Sequence, residues 1–394
     1  MFPVPNDPAN TWVSPADIRE MKMPDAAILQ SFENFSSYIQ DLEKGQGTSN
    51  TAETAKWLNN ISAIQIQYSS QVIPAASRVN AELWLNQLDV FCRLRNVYAL
   101  LSIVLLGFFF YGVFMQSADV QKYTRWAWFL LLAIFAFHTL GLGLRWCVSG
   151  RAPWSNGYES MIYIAWTTML AGLIFSRRSL GGMSATTVHS ATILLAAGMS
   201  WLDPEITPLV PVLKSYWLTI HVSLEAGSYG FLMLSAVIGM LNLILMVFTN
   251  SKNKVHTERT IKELTIISEI TLLGGLFMVS VGIYLGGDWA NESWGRYCGW
   301  DAKETLALVT ILVYAFILHM RFIPGLRSDY AFNFASLFGF ATVIMTYFGV
   351  NYYLSGLHSY AAGDPVPIPP GVYYTALVLA ILSFLALIRW RKVK

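Results

Sequence analysis

Between Gly286 and Glu304 the chain reads GGDWANESWGRYCGWDAKE, and this is where its chemistry concentrates. The stretch holds Trp289, Trp294, Trp300 and Tyr297 beside the acids Asp288, Glu292, Asp301 and Glu304. It lies between two strongly apolar runs, so it sits at a membrane surface. A lipid anchor at headgroup depth needs only one or two aromatics. Three Trp in a short connecting loop, with Gly295 and Gly299 between them, suit an aromatic shelf for a flat ligand. The Gly let the backbone turn beneath it. The plain alternative is an aromatic interfacial belt. The sharper one is a porphyrin platform, which needs axial ligands from elsewhere in the chain.

The six histidines are the candidates. His256, in SKNKVHTER, reads as a solvated loop residue. The other five lie in or beside apolar spans, where ionisable groups are costly and functional suspects by default. His221 opens the fifth span on the outer side, and His358 follows the eighth on the same side, in NYYLSGLHSYAAG. Both fall at the depth of the Trp-rich stretch. Two neutral imidazoles on opposite sides of an iron hold haem. Either one alone reads equally as a hydrogen-bonded interfacial residue. His319, at the inner end of the seventh span, is a candidate for a second, inner site. His138 in the second span and His189 in the fourth read equally well as helix–helix hydrogen bonds. Coordination on the inner side would let a porphyrin pass from an inner to an outer site.

The elements that must position these residues are membrane helices. The chain is 55% hydrophobic and only 13% charged over 394 residues, with a net charge of +2, and its mean hydropathy is +0.46. A soluble domain carries about a quarter charged residues, so the expected fold is all-α, a polytopic membrane bundle. About nine spans are legible, over 97–115, 126–148, 157–176, 185–202, 216–249, 264–286, 302–320, 331–354 and 371–390. Each is about 20 residues, the length a bilayer requires, apart from the longer fifth. Residues 1–96 form a more polar region with helices expected over Ala26–Leu42, Thr51–Ser69 and Ala75–Phe91; residues 97–394 form the membrane domain. Cys92, Cys147 and Cys298 are too few and scattered for a disulfide framework or a zinc site. No C-x-x-C-H, Walker loop, G-x-G-x-x-G or H-E-x-x-H occurs.

Lys and Arg set the orientation. One set of connections carries Lys122, Arg125, Arg177, Arg178, Lys252, Lys254, Arg259, Lys262, Arg321 and Arg327, with Arg389, Arg391, Lys392 and Lys394 at the C-terminus. The other carries fewer: Arg145, Arg151, Lys214, Arg296 and Lys303, with Arg93 and Arg95 before the first span. The first set is expected to be cytoplasmic, which turns the Trp-rich stretch and residues 1–96 outward. Residues 1–30 contain five Pro and no apolar signal core. An outward region of this size is either translocated by the first span or follows an upstream span in a longer parent chain, and the second is the expectation.

WANESWGRYCGWDAKE resembles the WWD signature of haem-handling proteins, W-G-x-x-W-x-W-D. It is most similar to the CcsA/ResC branch of system II cytochrome c biogenesis, and more distant from CcmC and CcmF. PWSNGYES, SYWLTIHVSLEAGSY and GLHSYA are similar to three further family segments, and Val72–Tyr98 looks like the connector of fused CcsB–CcsA proteins. The resemblance covers roughly 97–390. It implies haem b as cofactor, with His221 and His358 as outer axial ligands and His319 as an inner one. The inner partner comes from a CcsB-like part, with His138 as a possible local substitute. Trp289, Trp294, Trp300, Asp301 and Tyr297 would shape the platform, and Arg151 could pair with a propionate. The motif departs from the family at Cys298, where a Trp is usual, and at Ala302, where a Pro is usual. Cys298 adds a thiol, a potential soft ligand.

The implied activity is holocytochrome c synthesis, a lyase-type reaction that joins haem to the CxxCH motif of apocytochrome c. The implied partners are apocytochrome c, a CcsB/ResB-like subunit or fused half, thiol-reducing factors and membrane lipid, with no nucleic acid. The implied place is the bacterial inner membrane, with the WWD stretch periplasmic and the C-terminus cytoplasmic. The protein's contribution would be proximity and orientation. Asp301 and Glu304 also suit capping of the seventh span. A haem carrier without lyase activity uses the same residues. A cytochrome b-like quinol oxidoreductase subunit would place its His pairs at mid-depth, unlike His221 and His358. A transporter or structural subunit would bind no haem.

Overall fold

The computed structural model describes residues 1–22, 24–44, 51–69, 72–115, 120–199, 202–207, 215–354 and 368–393. The chain divides into two compact units, Met1–Asn80 and Ala81–Lys394.

In the first unit, β1 (Phe2–Pro3) pairs antiparallel with β2 (Trp12–Val13), followed by α1 (Pro15–Glu20), α2 (Ala26–Lys44) and α3 (Thr51–Ser69). Ser14 caps α1 through a capping box with Asp17, and Pro15 supplies a pre-set first helical residue. Phe2, Val13, Ile18 and Ile28 make its small core. The helices expected over Ala26–Leu42 and Thr51–Ser69 are present as α2 and α3; the third, expected over Ala75–Phe91, stops at Leu88, where Asp89 at φ 40° breaks it from the next helix; the strand pair and α1 were not legible in the sequence. Helix α4 (Ala76–Leu88) contains the division between the units.

The second unit continues with α5 (Val90–Met115), α6 (Val120–Ser149), α7 (Gly157–Phe175), α8 (Leu180–Ala197), α9 (Tyr216–Phe248), α10 (Lys254–Trp294) and α11 (Ala302–His319). Then come a 3-10 turn over Met320–Phe322, α12 (Asp329–Ile344), a π-helical turn (Met345–Gly349), α13 (Val350–Tyr353) and α14 (Pro370–Val393). Asn156, Ser179, Asp301 and Ser328 cap α7, α8, α11 and α12 with side-chain oxygens. Among the described residues, eight helices are long and apolar enough to cross a membrane. The chain is therefore a multi-pass helical membrane bundle. Helix α8 lies over the expected fourth span but is less apolar, because Ser184, Thr186, Thr187, His189 and Ser190 are all buried in the bundle interior. His189 Nδ1 is 3.2 Å from Thr168 Oγ1 of α7, and a Cβ at Gly172 would press on Thr186.

The core pairing is the antiparallel hairpin of α9 and α10. Along α9, polar residues recur every seventh position: His221, Ser228, Ser235, Asn242 and Thr249. Three of them reach α10. Ser235 Oγ meets Ser268 Oγ at 2.8 Å, Asn242 Nδ2 donates to Thr265 Oγ1 at 3.1 Å, and His221 Nδ1 bonds Gly282 O at 2.8 Å. Asn242 also donates to Asn333 Oδ1 of α12 at 2.8 Å. Polar residues at one seam position of paired helices set register. Here that register delivers His221 to Gly282.

Two expectations are corrected. The sixth span, expected over 264–286, belongs to a helix of 41 residues that runs on through Trp294. At 1.5 Å per residue it is about 61 Å long, twice a hydrocarbon core. Trp289 and Trp294 thus lie on a helix, and the connecting loop shrinks from 286–304 to Gly295–Asp301. The cause is local: DWANESW contains no breaker, and Gly295, at φ 70°, is the left-handed C-cap. The second turn is made by Trp300 at φ 54°, and Gly299 has no positive φ.

Candidate functional site

His221 stands one turn and a half into α9, on the face that meets α10. Gly282 O can only accept, so the 2.8 Å contact fixes the proton on Nδ1. In the neutral ring Nε2 then carries the lone pair. Histidine ligands are oriented in this way by a carbonyl on the other nitrogen. One turn along α10, Gly286 makes room for the ring: a Cβ there would come 2.7 Å from His221 Cε1 and Nδ1. A further turn on, Trp289 is 1% exposed and lies nearly parallel to the imidazole, 12° between planes and 6.5 Å between centroids. Trp294 packs edge-on against Trp289 at 4.8 Å. Ser215 Oγ, just before α9, donates to Glu292 Oε2 at 2.9 Å and ties the open end of the hairpin.

The loop Gly295–Asp301 is organised by one carboxylate. Glu304 Oε2 accepts from Gly299 N at 2.8 Å, Cys298 Sγ at 3.3 Å and Asp301 N at 3.4 Å, while Asp301 Oδ1 accepts from Glu304 N at 2.9 Å. This is a capping box extended backwards to hold Trp300 in a left-handed conformation unusual for a bulky residue. Asp301 therefore serves the start of α11. Trp300 and Tyr297 are displayed, at 70% and 64% exposure. A hydrogen bond with the Trp300 backbone favours the Cys298 thiolate. Partial burial, the Glu304 hydrogen bond and the charges of Glu304 and Asp301 outweigh it and raise the thiol's pKa.

Arg151 engages two groups of the protein. Its Nη1 bonds Glu159 Oε2 at 2.6 Å and its Nη2 bonds Thr207 O at 3.1 Å. Arg145 holds the other oxygen of Glu159 at 3.0 Å and bonds Pro204 O at 2.9 Å. Glu159 is fully buried, and Ser155 N adds a third donor at 3.0 Å. The PWSNGYES segment is thus an ionic knot that ties α6 and α7 to the connection entering α9. Trp154 Nε1 bonds Thr219 O at 3.0 Å, two residues before His221.

The remaining histidines separate. His319 ends α11, exposed, with Nδ1 donating to Ala315 O at 2.7 Å and its ring beside Phe322. Along that helix it is about 26 Å from Ala302, so it lies at the opposite membrane face. His138 is fully buried, 3.4 Å by Nδ1 from Tyr98 OH of α5 and against the Phe91 ring. Its contacts are those of a bundle hydrogen bond, and the structure brings it to neither His221 nor His319. His358 lies outside the described residues. Sequence reasoning missed Glu225, buried on α9 one turn inward of His221. Its signal was available: a lone acid inside an apolar span.

The donor set fits haem: an imidazole with a fixed tautomer, a glycine cradle that a Cβ would fill, and an indole face parallel to the ring. Residues 154–358 match the family model described as "Cytochrome C assembly protein". The chain is 41% identical over 381 residues to Protein NrfI of Wolinella succinogenes, covering 93% of this chain but 40% of that protein, so it spans well under half of that relative's length. It is 31% identical over 296 residues to the cytochrome c biogenesis protein CcsA of Guillardia theta, covering 70% of this chain and 97% of that protein. The CcsA of Pyropia yezoensis is 29% identical over 299 residues, 93% of its length. With its WWD stretch and His221 inside the matched region, the chain belongs to the cytochrome c assembly protein family of CcsA type.

Proposed function

We propose that the chain holds haem b at the outer membrane face, between His221 and His358, and presents it to apocytochrome c. The observation that carries this is the 2.8 Å bond from His221 Nδ1 to Gly282 O, which leaves Nε2 as the ligating atom of the neutral ring. Trp289 and Trp294 back the imidazole, and the exposed Trp300 and Tyr297 offer the surface on which a partner can dock. Bound haem supplies two vinyl groups, across which the thiols of a CxxCH segment add to form thioethers. The chain's own share is orientation, exclusion of water around His221, and exposure of one edge to the substrate. The Lys/Arg asymmetry turns this face away from the cytoplasm, in a bacterial inner membrane. His319 serves an inner site completed by a CcsB/ResB-like part, consistent with a chain that covers 40% of NrfI.

The test is the visible spectrum of the detergent-purified protein, oxidised and reduced. A low-spin bis-histidine spectrum is expected. It should weaken in His221→Ala and in His358→Ala and return with added imidazole. A haem-free wild type, or a spectrum unchanged in both variants, overturns the reading. Incubation with a CxxCH peptide then separates a synthase from a carrier: only a synthase yields the covalent adduct.

A further inference from the structure

At the end of the bundle where α9 begins, a cavity of about 550 Å³ opens between the start of α5, the first turns of α7, the last turn of α8 and the connection that follows α8. Ligand sites usually have about 300–1,000 Å³. Its walls are the ends of helices in a membrane bundle, so it sits at headgroup depth. Phe91, Leu194 and Leu202 make an apolar part, while Arg95, Asp89 and Asp203 bring one cation and two carboxylates to the same space. Arg95 is half-buried. Its Nε donates to Asn96 Oδ1 at 3.3 Å and its Nη2 to Cys92 Sγ at 3.2 Å. Among the described residues no ion pair engages Arg95, Asp89 or Asp203. A half-buried guanidinium without a counter-charge suits an anion, and its planar fork matches phosphate. Both acids are set in place by backbone. Asp89 makes the turn between α4 and α5 at φ 40°, a conformation that Asp tolerates. Asp203 Oδ1 accepts from Glu205 N at 2.9 Å, and the carbonyl of the next residue, Pro204, accepts from Arg145 Nη1 at 2.9 Å. The ionic knot around Glu159 thus holds this wall of the cavity.

We propose that this cavity binds the headgroup of a zwitterionic phospholipid, a phosphoethanolamine. Arg95 takes the phosphate, Asp89 and Asp203 take the ammonium, and the apolar part takes the glycerol and the start of the acyl chains. The choice follows from charge and depth. A headgroup with one anion and one cation answers all three side chains, whereas a purely anionic one meets two like charges. An ammonium also brings three N–H donors, which a choline lacks. None of these residues belongs to the His221 site, so the inference stands apart from the haem reading.

The experiment is thermal unfolding of the detergent-purified protein, titrated with dihexanoyl phosphatidylethanolamine. Phosphatidylglycerol and phosphatidylcholine of the same chain length, and inorganic phosphate, are titrated alongside. Phosphatidylethanolamine should raise the unfolding temperature saturably, as a ligand of the folded state does. Its half-effect should come at about tenfold lower concentration than for the other two lipids, and Arg95→Gln should raise that concentration about tenfold. Asp89→Asn and Asp203→Asn should raise it for phosphatidylethanolamine but not for phosphatidylglycerol, so that the preference is lost. Asn at position 203 keeps an acceptor for Glu205 N, so Asp203→Asn decides where another variant does not fold. Phosphatidylglycerol as effective as phosphatidylethanolamine overturns the proposal, as do variants that titrate like wild type or a protein that no lipid stabilises. Equal stabilisation by inorganic phosphate overturns it in favour of a free anion.

Discussion

The indole of Trp289 lies 12° from parallel to the imidazole of His221, with the ring centroids 6.5 Å apart. The two residues come from different helices and are 68 positions apart in the chain, so their relation depends on the register of α9 against α10. Between their attachment points lies Gly286, whose missing side chain is what lets the imidazole stand against the helix.

Gly286→Ala should therefore mimic loss of the ligand. Its Cβ would come 2.7 Å from two atoms of the His221 ring, and backbone on α10 cannot yield as a flexible side chain can. The expected outcome is a folded protein whose haem spectrum is weakened as strongly as in His221→Ala. Spectra of the two variants side by side, each with and without imidazole, check this.

The Trp residues should differ sharply in their effect on stability. Trp289 is 1% exposed, and its replacement by Ala should cost about 3–5 kcal/mol, the range for deleting a buried aromatic. Trp300 is 70% exposed, and Trp300→Ala should stay within about 0.5 kcal/mol. Relief of its left-handed backbone is not expected from Ala; Trp300→Gly should be neutral or stabilising. Thermal unfolding in one detergent, with thioether formation measured in parallel, separates a structural Trp from a docking one.

Arg145→Ala should be more damaging than Arg151→Ala. Arg145 is 5% exposed and Arg151 15%, and both bond Glu159, which has no solvent access. Removing one partner of a buried pair costs about 3–5 kcal/mol, and the loss here should fall at the low end, because Arg151 and Ser155 N still hold Glu159. The Arg145→Ala loss should be reduced when Glu159→Gln is added. The double-mutant cycle on yield and unfolding temperature reports the coupling.

Cys298 supplies a pH test. The carboxylate of Glu304 helps to raise the thiol's pKa, so the thiolate fraction at neutral pH is suppressed. Glu304→Gln removes that charge and should lower the pKa. The curve of alkylation rate against pH then moves to lower pH, and labelling near pH 7 becomes several-fold faster. An unmoved curve would mean that Glu304 does not govern the thiol.

Much of the bundle was legible because a bilayer demands long apolar helices with satisfied backbones. The limits of α3, α9 and α11 follow from composition and capping residues in sequence, and His221 announces itself as a polar residue opening an apolar span. The WWD stretch was legible as chemistry but not as shape. Nothing in DWANESW distinguishes a loop from a helix that outruns the membrane, and the stop at Gly295 becomes visible only when its left-handed cap is seen.

Arg151 shows a second kind of limit. The sequence offers Arg151 as a cation near the motif, but that it bonds the buried Glu159, eight residues on, is visible only in the fold. Glu225 shows a third. Its isolation within α9 marks it in the sequence, yet its approach to Gly282 depends on α10. By itself, the sequence determined an all-helical membrane protein with histidines at the ends of apolar spans, an aromatic motif and the seven-residue polar stripe along α9, since these arise from local composition and spacing. Only the tertiary structure decided which carbonyl fixes the His221 tautomer, which glycine admits its ring and which indole stands against it. Each of those requires a contact between helices whose register no single segment encodes.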